Sequence, residues 1–121
     1  MSDFDYESLA PGIREVVRWV HALGFTTSDS GDGRTNQEAG MDCARGWTEP
    51  MVAIEASGPS EAMASAGRLW AALDALAGGH PPERARVEMS YAFPDGVALV
   101  LLTGVGDAEL AAMRALQEAK A

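Results

Sequence analysis

The sequence predicts an α+β domain, a two-layer sandwich in which three helices lie on a mostly antiparallel sheet of about four strands. Three segments repeat apolar residues at helical spacing, and several short segments between them either alternate apolar with polar residues or are apolar throughout. These elements follow in the order α-β-β-α-β-β-α. With 121 residues, 47% of them hydrophobic, the chain has the size of one domain with room for a single core.

The first helix is predicted to begin at Pro11, because proline is favoured at the first position of a helix. Its apolar stripe consists of Ile13, Val16, Val17, Val20 and Leu23. Gly24 is the expected end, after which Phe25 packs back on the last turn. Residues 25–27 are then predicted to form a short strand, and residues 28–46 a long polar loop. Long loops inside compact domains are often functional.

The central part of the chain predicts a strand followed by a long helix. Residues 51–56 form an apolar run typical of a strand. The segment Gly58-Pro59-Ser60 opens the helix, with Ser57 or Ser60 as the N-cap. The expected buried stripe of this helix consists of Met63, Ala66, Leu69, Trp70, Leu73 and Leu76. Two glycines, at 78 and 79, and two prolines, at 81 and 82, end it.

The last third of the chain predicts a hairpin and a final helix. Apolar residues alternate with polar ones over residues 85–93, which indicates a strand with one wet face. Residues 94–96 (Pro-Asp-Gly) are typical of a turn. Residues 97–102 are apolar without alternation, so we expect a central strand covered on both faces, and a second copy of the chain is one way to cover the second face. Asp107 is the expected cap of a helix with Leu110, Met113 and Leu116 buried.

The charge balance and the cysteine count disfavour several classes of function. The chain has 18 acidic and 9 basic residues, a formal net charge of -9, which argues against a nucleic-acid polymer or an anionic membrane as partner. A single cysteine, Cys43, excludes an internal disulfide and a cysteine-based zinc site. No apolar run has the length of a membrane span, so we expect a cytoplasmic protein. Residues 1–10 are predicted to be an acidic tail, and residues 11–121 a single domain.

The segment from Phe25 to Asn36 carries the strongest indication of a ligand site. Its glycines allow backbone N–H groups to converge on an anion, its hydroxyls can donate to phosphate or ribose oxygens, and Arg34 supplies a planar guanidinium. His21 could face this segment, and Trp47 could stack on a base. The predicted ligand-binding residues are His21, Thr27, Ser30, Gly31, Asp32, Gly33, Arg34, Thr35 and Trp47. We expect no catalytic residue, no metal ligand and no cofactor.

These residues also have structural interpretations. The segment is equally typical of a solvated turn, and Asp29 and Asp32 would repel an anion unless a metal or a ribose hydroxyl intervened. His21 could simply stack on Phe25 at the end of the helix, and Trp47 could belong to the core.

Two other chemistries fit the segment poorly. A calcium loop centred on Gly33 needs a bidentate glutamate at its closing position, which is Ala39 here. A hydrolytic triad of Ser30, His21 and Asp29 lacks the strand–Ser–helix elbow that would support it.

The same part of the chain resembles two groups of proteins. Residues 11–14 (Pro-Gly-Ile-Arg), residues 24–33 (Gly-Phe-Thr-Thr-Ser-Asp-Ser-Gly-Asp-Gly) and the region of Met41 are similar to small proteins of actinobacterial phages. Residues 25–28 (Phe-Thr-Thr-Ser) together with Gly33 and Arg34 resemble a loop of the wybutosine-synthesis methyltransferase family. The second resemblance implies a helix–strand–loop unit that holds a nucleotide-like molecule. The first implies the cytoplasm of a bacterial host.

The sequence therefore predicts non-catalytic binding of a small phosphorylated or nucleotide-like ligand by a homodimer or a higher homo-oligomer. If the phage resemblance holds, its purpose would be to sequester a host signalling nucleotide. Two alternatives stay open: an acidic protein-interaction module, such as an inhibitor of a host defence protein, and a small nucleotide-processing enzyme. Steep loss of partner binding with salt would favour the first, and turnover would favour the second.

Overall fold

The computed structural model describes residues 5–31, 49–92 and 97–120. Within these ranges the chain forms, in order, a 3-10 turn (Tyr6–Ser8), α1 (Arg14–Ala22), β1 (Thr27–Gly31), β2 (Met51–Ala56), α2 (Pro59–Leu76), β3 (Arg86–Ala92), β4 (Val97–Thr103) and α3 (Asp107–Lys120). The strands make one antiparallel sheet in the order β1-β2-β4-β3. The predicted α+β class and the predicted order of elements are both confirmed.

The core lies between the three helices and one face of the sheet. That face presents Val52 and Ile54 of β2 beside Val100 and Leu102 of β4, all four fully buried. Ile13, just before α1, belongs to the same cluster. The helices contribute Val16, Val17, Val20, Ala62, Leu69, Leu73, Leu110 and Met113. The three apolar stripes thus converge on the two central strands, which places β1 and β3 at the two edges of the sheet.

The opposite face of the sheet is also largely apolar at its centre. Ala53 and Thr103 are buried there, and Leu99 and Leu101 are half-buried. Ala53 pairs with Leu101, so β4 has apolar neighbours on both of its faces, which explains why residues 97–102 show no alternation of apolar with polar residues. That a second copy covers this face stays a prediction.

Helix α1 begins at Arg14 and not at Pro11, which lies in the preceding turn. The N–H groups of Glu15 and Val16 both donate to Oδ1 of Asp107, each at 3.0 Å. A carboxylate from a distant helix therefore satisfies backbone donors that a local side chain usually caps.

The predicted caps of the other two helices are wrong, because the side chains of Asp107 and Ser57 form hydrogen bonds with other groups. Asp107 does not cap α3, because its side chain is directed at α1; instead the Gly106 N–H donates to Oε1 of Glu109 at 2.8 Å. At the start of α2 the N-cap is Gly58, without a side-chain cap, and the Ser57 hydroxyl donates to the Glu61 carboxylate at 2.6 Å.

Strand β1 lies further along the chain than predicted. Phe25 is buried against the core, and the strand begins at Thr27 and includes four residues that were expected in the loop. Pairing with β2 accounts for the difference, because Ser30 lies opposite Val52 and Gly31 opposite Met51. Cross-strand pairing here outweighs the low strand propensity of Asp, Ser and Gly.

The buried stripe of α2 is rotated relative to the prediction. Ala62, Ser65, Leu69 and Leu73 are its buried residues, whereas Met63 and Trp70, expected in the stripe, are exposed. In α3, Leu110 and Met113 are buried as predicted and Leu116 is exposed. The consequence for α2 is an apolar flank that faces outward.

Candidate functional site

Polar side chains from three elements meet where α1 ends and β1 begins. Arg18 and His21 lie three residues apart in α1 and therefore on one side of the helix. The chain reverses at Gly24, whose φ of 94° is the left-handed conformation that favours glycine, and Thr27 returns beside the last turn of α1. Tyr6 of the 3-10 turn completes the group. We call Tyr6, Arg18, His21 and Thr27 the α1–β1 corner.

His21 is held between two hydroxyl groups. Its Nδ1 lies 2.8 Å from the Tyr6 hydroxyl, and its Nε2 lies 2.8 Å from Oγ1 of Thr27. The Tyr6 and His21 rings are 5.7 Å apart at their centroids and inclined by 56°. A neutral imidazole has one donor and one acceptor nitrogen, so the two hydroxyls take opposite roles: one donates to the ring and the other accepts from it.

Burial lowers the pKa of the His21 imidazole from its ordinary value of 6.5. The ring is therefore mostly neutral at neutral pH, which suits a position between two hydroxyls. A neutral His21 fixes the orientation of the Thr27 hydroxyl without adding a charge. As a direct contact to an anion it would first have to take up a proton.

Two guanidinium groups stack on aromatic rings near the end of α1, Arg18 within the corner and Arg68 beside Phe25. The Arg18 guanidinium lies 4.2 Å above the centroid of the Tyr6 ring, and its Nε is 3.2 Å from the Glu15 carboxylate. The Arg68 guanidinium of α2 lies 4.6 Å from the centroid of the Phe25 ring. Stacking on an aromatic face orients each guanidinium, and the N–H groups in its plane can still donate hydrogen bonds. The corner thus contains one guanidinium, that of Arg18, whose positive charge is paired with Glu15.

Strand β1 continues from the corner along one edge of the sheet. A register irregularity between Thr27 and Asp29 changes which side chains share a face. Thr27 and Ser30 lie opposite Ile54 and Val52, on the helix-covered face. Asp29 lies on the opposite face, and its Oδ1 accepts from the backbone N–H of Ser30 at 2.8 Å.

The structure therefore brings together two of the predicted ligand-binding residues, His21 and Thr27. Ser30 and Gly31 follow on the same strand, both half-buried. The remaining predicted site residues, Asp32, Gly33, Arg34, Thr35 and Trp47, lie outside the described residues. The triad of Ser30, His21 and Asp29 is not assembled, since Ser30 and Asp29 lie on opposite faces of the sheet and the ring nitrogens of His21 contact Tyr6 and Thr27.

Sequence reasoning missed Tyr6, Arg18 and Arg68. Tyr6 falls in the segment predicted to be an acidic tail, yet Tyr6, Leu9 and Ala10 pack against the core. The spacing of Arg18 and His21 was a usable signal, because residues three apart share one side of a helix. Arg68 comes from a helix remote in sequence, so no local pattern indicates it.

The described part of the chain contains neither a metal-binding cluster nor a membrane-spanning helix. No group of three or more histidine, cysteine or acidic side chains there is arranged to hold a metal ion. No helix in those ranges is both long and apolar enough to cross a bilayer. His80, the second histidine, lies exposed in the loop after α2.

Comparisons with known proteins add no family to this description. No protein-family model, no curated protein and no solved structure matched the chain.

Proposed function

We propose that the protein binds a small phosphorylated or nucleotide-like molecule at the α1–β1 corner and does not turn it over. The observation that carries the proposal is the hydrogen-bonded row of Tyr6, His21 and Thr27 next to the Arg18 guanidinium. Hydroxyl and guanidinium groups donate hydrogen bonds that phosphate oxygens readily accept.

Arg18 is the residue best suited to contact a phosphate group. Its side chain is 51% exposed, so a ligand can reach it. Its stacking on Tyr6 limits the rotamers it can adopt, which reduces the entropy lost when a ligand binds. The ion pair with Glu15 is exposed and therefore weak enough to be exchanged for a phosphate.

Thr27 supplies a hydroxyl whose direction is fixed by His21. When Nε2 of His21 carries the hydrogen, it donates to Oγ1 of Thr27, and the Thr27 hydroxyl hydrogen then points to another acceptor. A phosphate oxygen is such an acceptor. Binding a nearby anion also favours the charged imidazole, whose two nitrogens would both donate to the hydroxyls.

The test compares a nucleoside diphosphate with the corresponding nucleoside by titration calorimetry. We expect ADP to bind and adenosine to bind much more weakly, because the corner offers donors for phosphate. Arg18→Gln should weaken ADP binding about tenfold or more, and Thr27→Val, which removes only the hydroxyl, several-fold.

Arg114→Gln is the matched control, because it removes the same charge from an exposed position on α3. Equal weakening by Arg18→Gln and Arg114→Gln would indicate a general charge effect and reject the corner as the site. Failure of ADP and of inorganic pyrophosphate to bind at millimolar concentration would reject the proposal. Steady release of phosphate from ADP, lost in the His21→Ala variant, would replace binding with catalysis.

A further inference from the structure

The opposite edge of the sheet carries an exposed apolar surface. Met63 is 64% exposed, Trp70 40% and Met89 53%, and these are three of the four large hydrophobic residues exposed in the described part of the chain. Met63, Gly67 and Trp70 recur at helical spacing on the outer side of α2. Met89 lies on β3, the edge strand beside that side of α2. We call Met63, Gly67, Trp70, Val87 and Met89 the β3-edge surface.

A shallow cleft runs between α2 and β3. Its volume is about 510 Å³, and it is lined by Ala66, Gly67 and Trp70 of α2 and by residues 85–88. Gly67 has no atom within 4 Å of the position that a Cβ would occupy. Glycine within a helix is less stable than alanine, and here it leaves space where another backbone can approach closely.

We propose that a second copy of this chain occupies the β3-edge surface by pairing its own β3 antiparallel to this one. β3 lies at the edge of the described sheet, and an edge strand presents a row of backbone donors and acceptors that another strand can pair with. A twofold axis perpendicular to the sheet joins the two sheets into one and places α2 of both copies on the same side.

The charge pattern of β3 selects one register. In a pairing centred on Val87, Arg86 lies opposite the partner's Glu88, and Glu88 lies opposite the partner's Arg86. Both charge pairs fall on the face away from the helices, where Arg86 and Glu88 are exposed. Opposite charges directly across a strand pair are stabilising, and like charges are destabilising.

The neighbouring registers lack this complementarity. A pairing centred on Arg86 or on Glu88 would place that residue opposite its own copy, with like charges in contact. A pairing centred on Met89 would place Glu88 opposite the partner's Ser90, without an ion pair. Of these four registers, only the one centred on Val87 forms two ion pairs between Arg86 of one copy and Glu88 of the other.

The same register covers the exposed apolar side chains on the helix side. Val87 meets the partner's Val87, and Met89, on the same helix-covered face of the sheet, reaches the partner's Ala85, the residue just before its β3. The α2 flank with Met63 and Trp70 then lies along the twofold axis beside its copy. An edge that would otherwise expose apolar surface and unpaired backbone is thereby satisfied.

The test is the oligomeric state of three charge variants, measured by sedimentation velocity without ligand. We expect the wild-type chain to be a dimer, and Arg86→Glu and Glu88→Arg each to raise the dimer dissociation constant about tenfold or more, because each places like charges in both pairs. The double variant Arg86→Glu/Glu88→Arg restores opposite charges and should recover the dimer. Circular dichroism of all three verifies folding, which exposed positions are expected to tolerate.

A second measurement reads the register directly. Val87→Cys in a Cys43→Ser background places two cysteines opposite each other at the axis, and we expect an intermolecular disulfide on mild oxidation. The same change at Ser90, which lies three residues from the axis and faces the turn before the partner's β3, should cross-link far less.

Three results would overturn the proposal: a monomeric wild type at about 100 μM, a dimer indifferent to both single reversals, or a double variant that remains monomeric. These outcomes are independent of ligand binding at the α1–β1 corner, since no ligand is present.

Discussion

The two edges of the sheet have opposite characters. At the β1 edge, the polar groups of the α1–β1 corner contact one another, and His21 has a partner at each ring nitrogen. At the β3 edge, large apolar side chains are exposed and a strand edge has no partner among the described strands. Polar residues can thus satisfy each other within one chain, whereas an apolar edge is buried only against a further surface, which is the role that we propose for a second copy of the chain.

A glycine lies near each edge, so substitution of these two glycines compares the two regions. The largest loss of unfolding free energy that we predict is at Gly104. Gly104 has a φ of 79°, and a Cβ at this position would overlap the carbonyl oxygen of Arg84, just before β3. Gly24, at the corner, has a φ of 94° but has no atom within 4 Å of its Cβ position.

We therefore expect Gly104→Ala to lower the free energy of unfolding by about 3 kcal/mol or more, and Gly24→Ala by about 1–2 kcal/mol. Urea denaturation of both variants measures the difference. The excess at Gly104 reflects the close approach of the chain beside β3, so equal losses would contradict that packing.

The second prediction concerns the helix that positions the corner. Asp107→Ala removes the acceptor of the Glu15 and Val16 N–H groups and should lower the free energy of unfolding by about 1–2 kcal/mol. Asp107→Asn retains an acceptor oxygen and should lose much less, because asparagine is as good a cap as aspartate. Thermal unfolding of the two variants makes the comparison; equal losses would assign the effect to charge and not to the hydrogen bonds.

Asp107 also illustrates what the sequence can and cannot predict about the fold. The strand Met51–Ala56, the end of α1 at Gly24 and the order of all elements follow from local patterns and are confirmed. The cap of α1 comes from a residue more than ninety positions away, and no local pattern contains it. Likewise, the choice between Leu69 and Trp70 as buried residues of α2 depends on how the helix is rotated on the sheet.

The same distinction applies to the candidate site. Thr27 and His21 could be predicted because they lie six positions apart across a turn that Gly24 indicates. Tyr6 could not, since packing of a remote segment brings it to the corner, and the same holds for Arg68, which α2 places over Phe25. The β3-edge surface could not be predicted for a related reason. The helical spacing of Met63 and Trp70 is typical of core residues, and only the packed helix shows that they are exposed.

The smallest expected effect is a pH dependence of stability that belongs to the corner alone. Burial lowers the pKa of His21 in the folded chain below its ordinary value of 6.5. Between the two pKa values the unfolded chain binds more protons than the folded chain, so the free energy of unfolding falls as the pH is lowered through this window. Well above pH 6.5 both states are neutral at His21, and this contribution no longer changes with pH.

The His21→Gln variant isolates this contribution, because glutamine can still donate and accept but does not titrate. We expect the difference in unfolding free energy between wild type and His21→Gln to be constant well above pH 6.5 and to shift against the wild type as the pH is lowered through and below that value. Glu61, whose pKa is lowered by hydrogen bonds from Ser57, loses its contribution only at lower pH and is present in both proteins. A difference that moves in favour of the wild type on acidification would mean that the corner stabilises the charged imidazole. A bound diphosphate is expected to have that effect, so repeating the series with ADP tests the corner as a phosphate site by a second route.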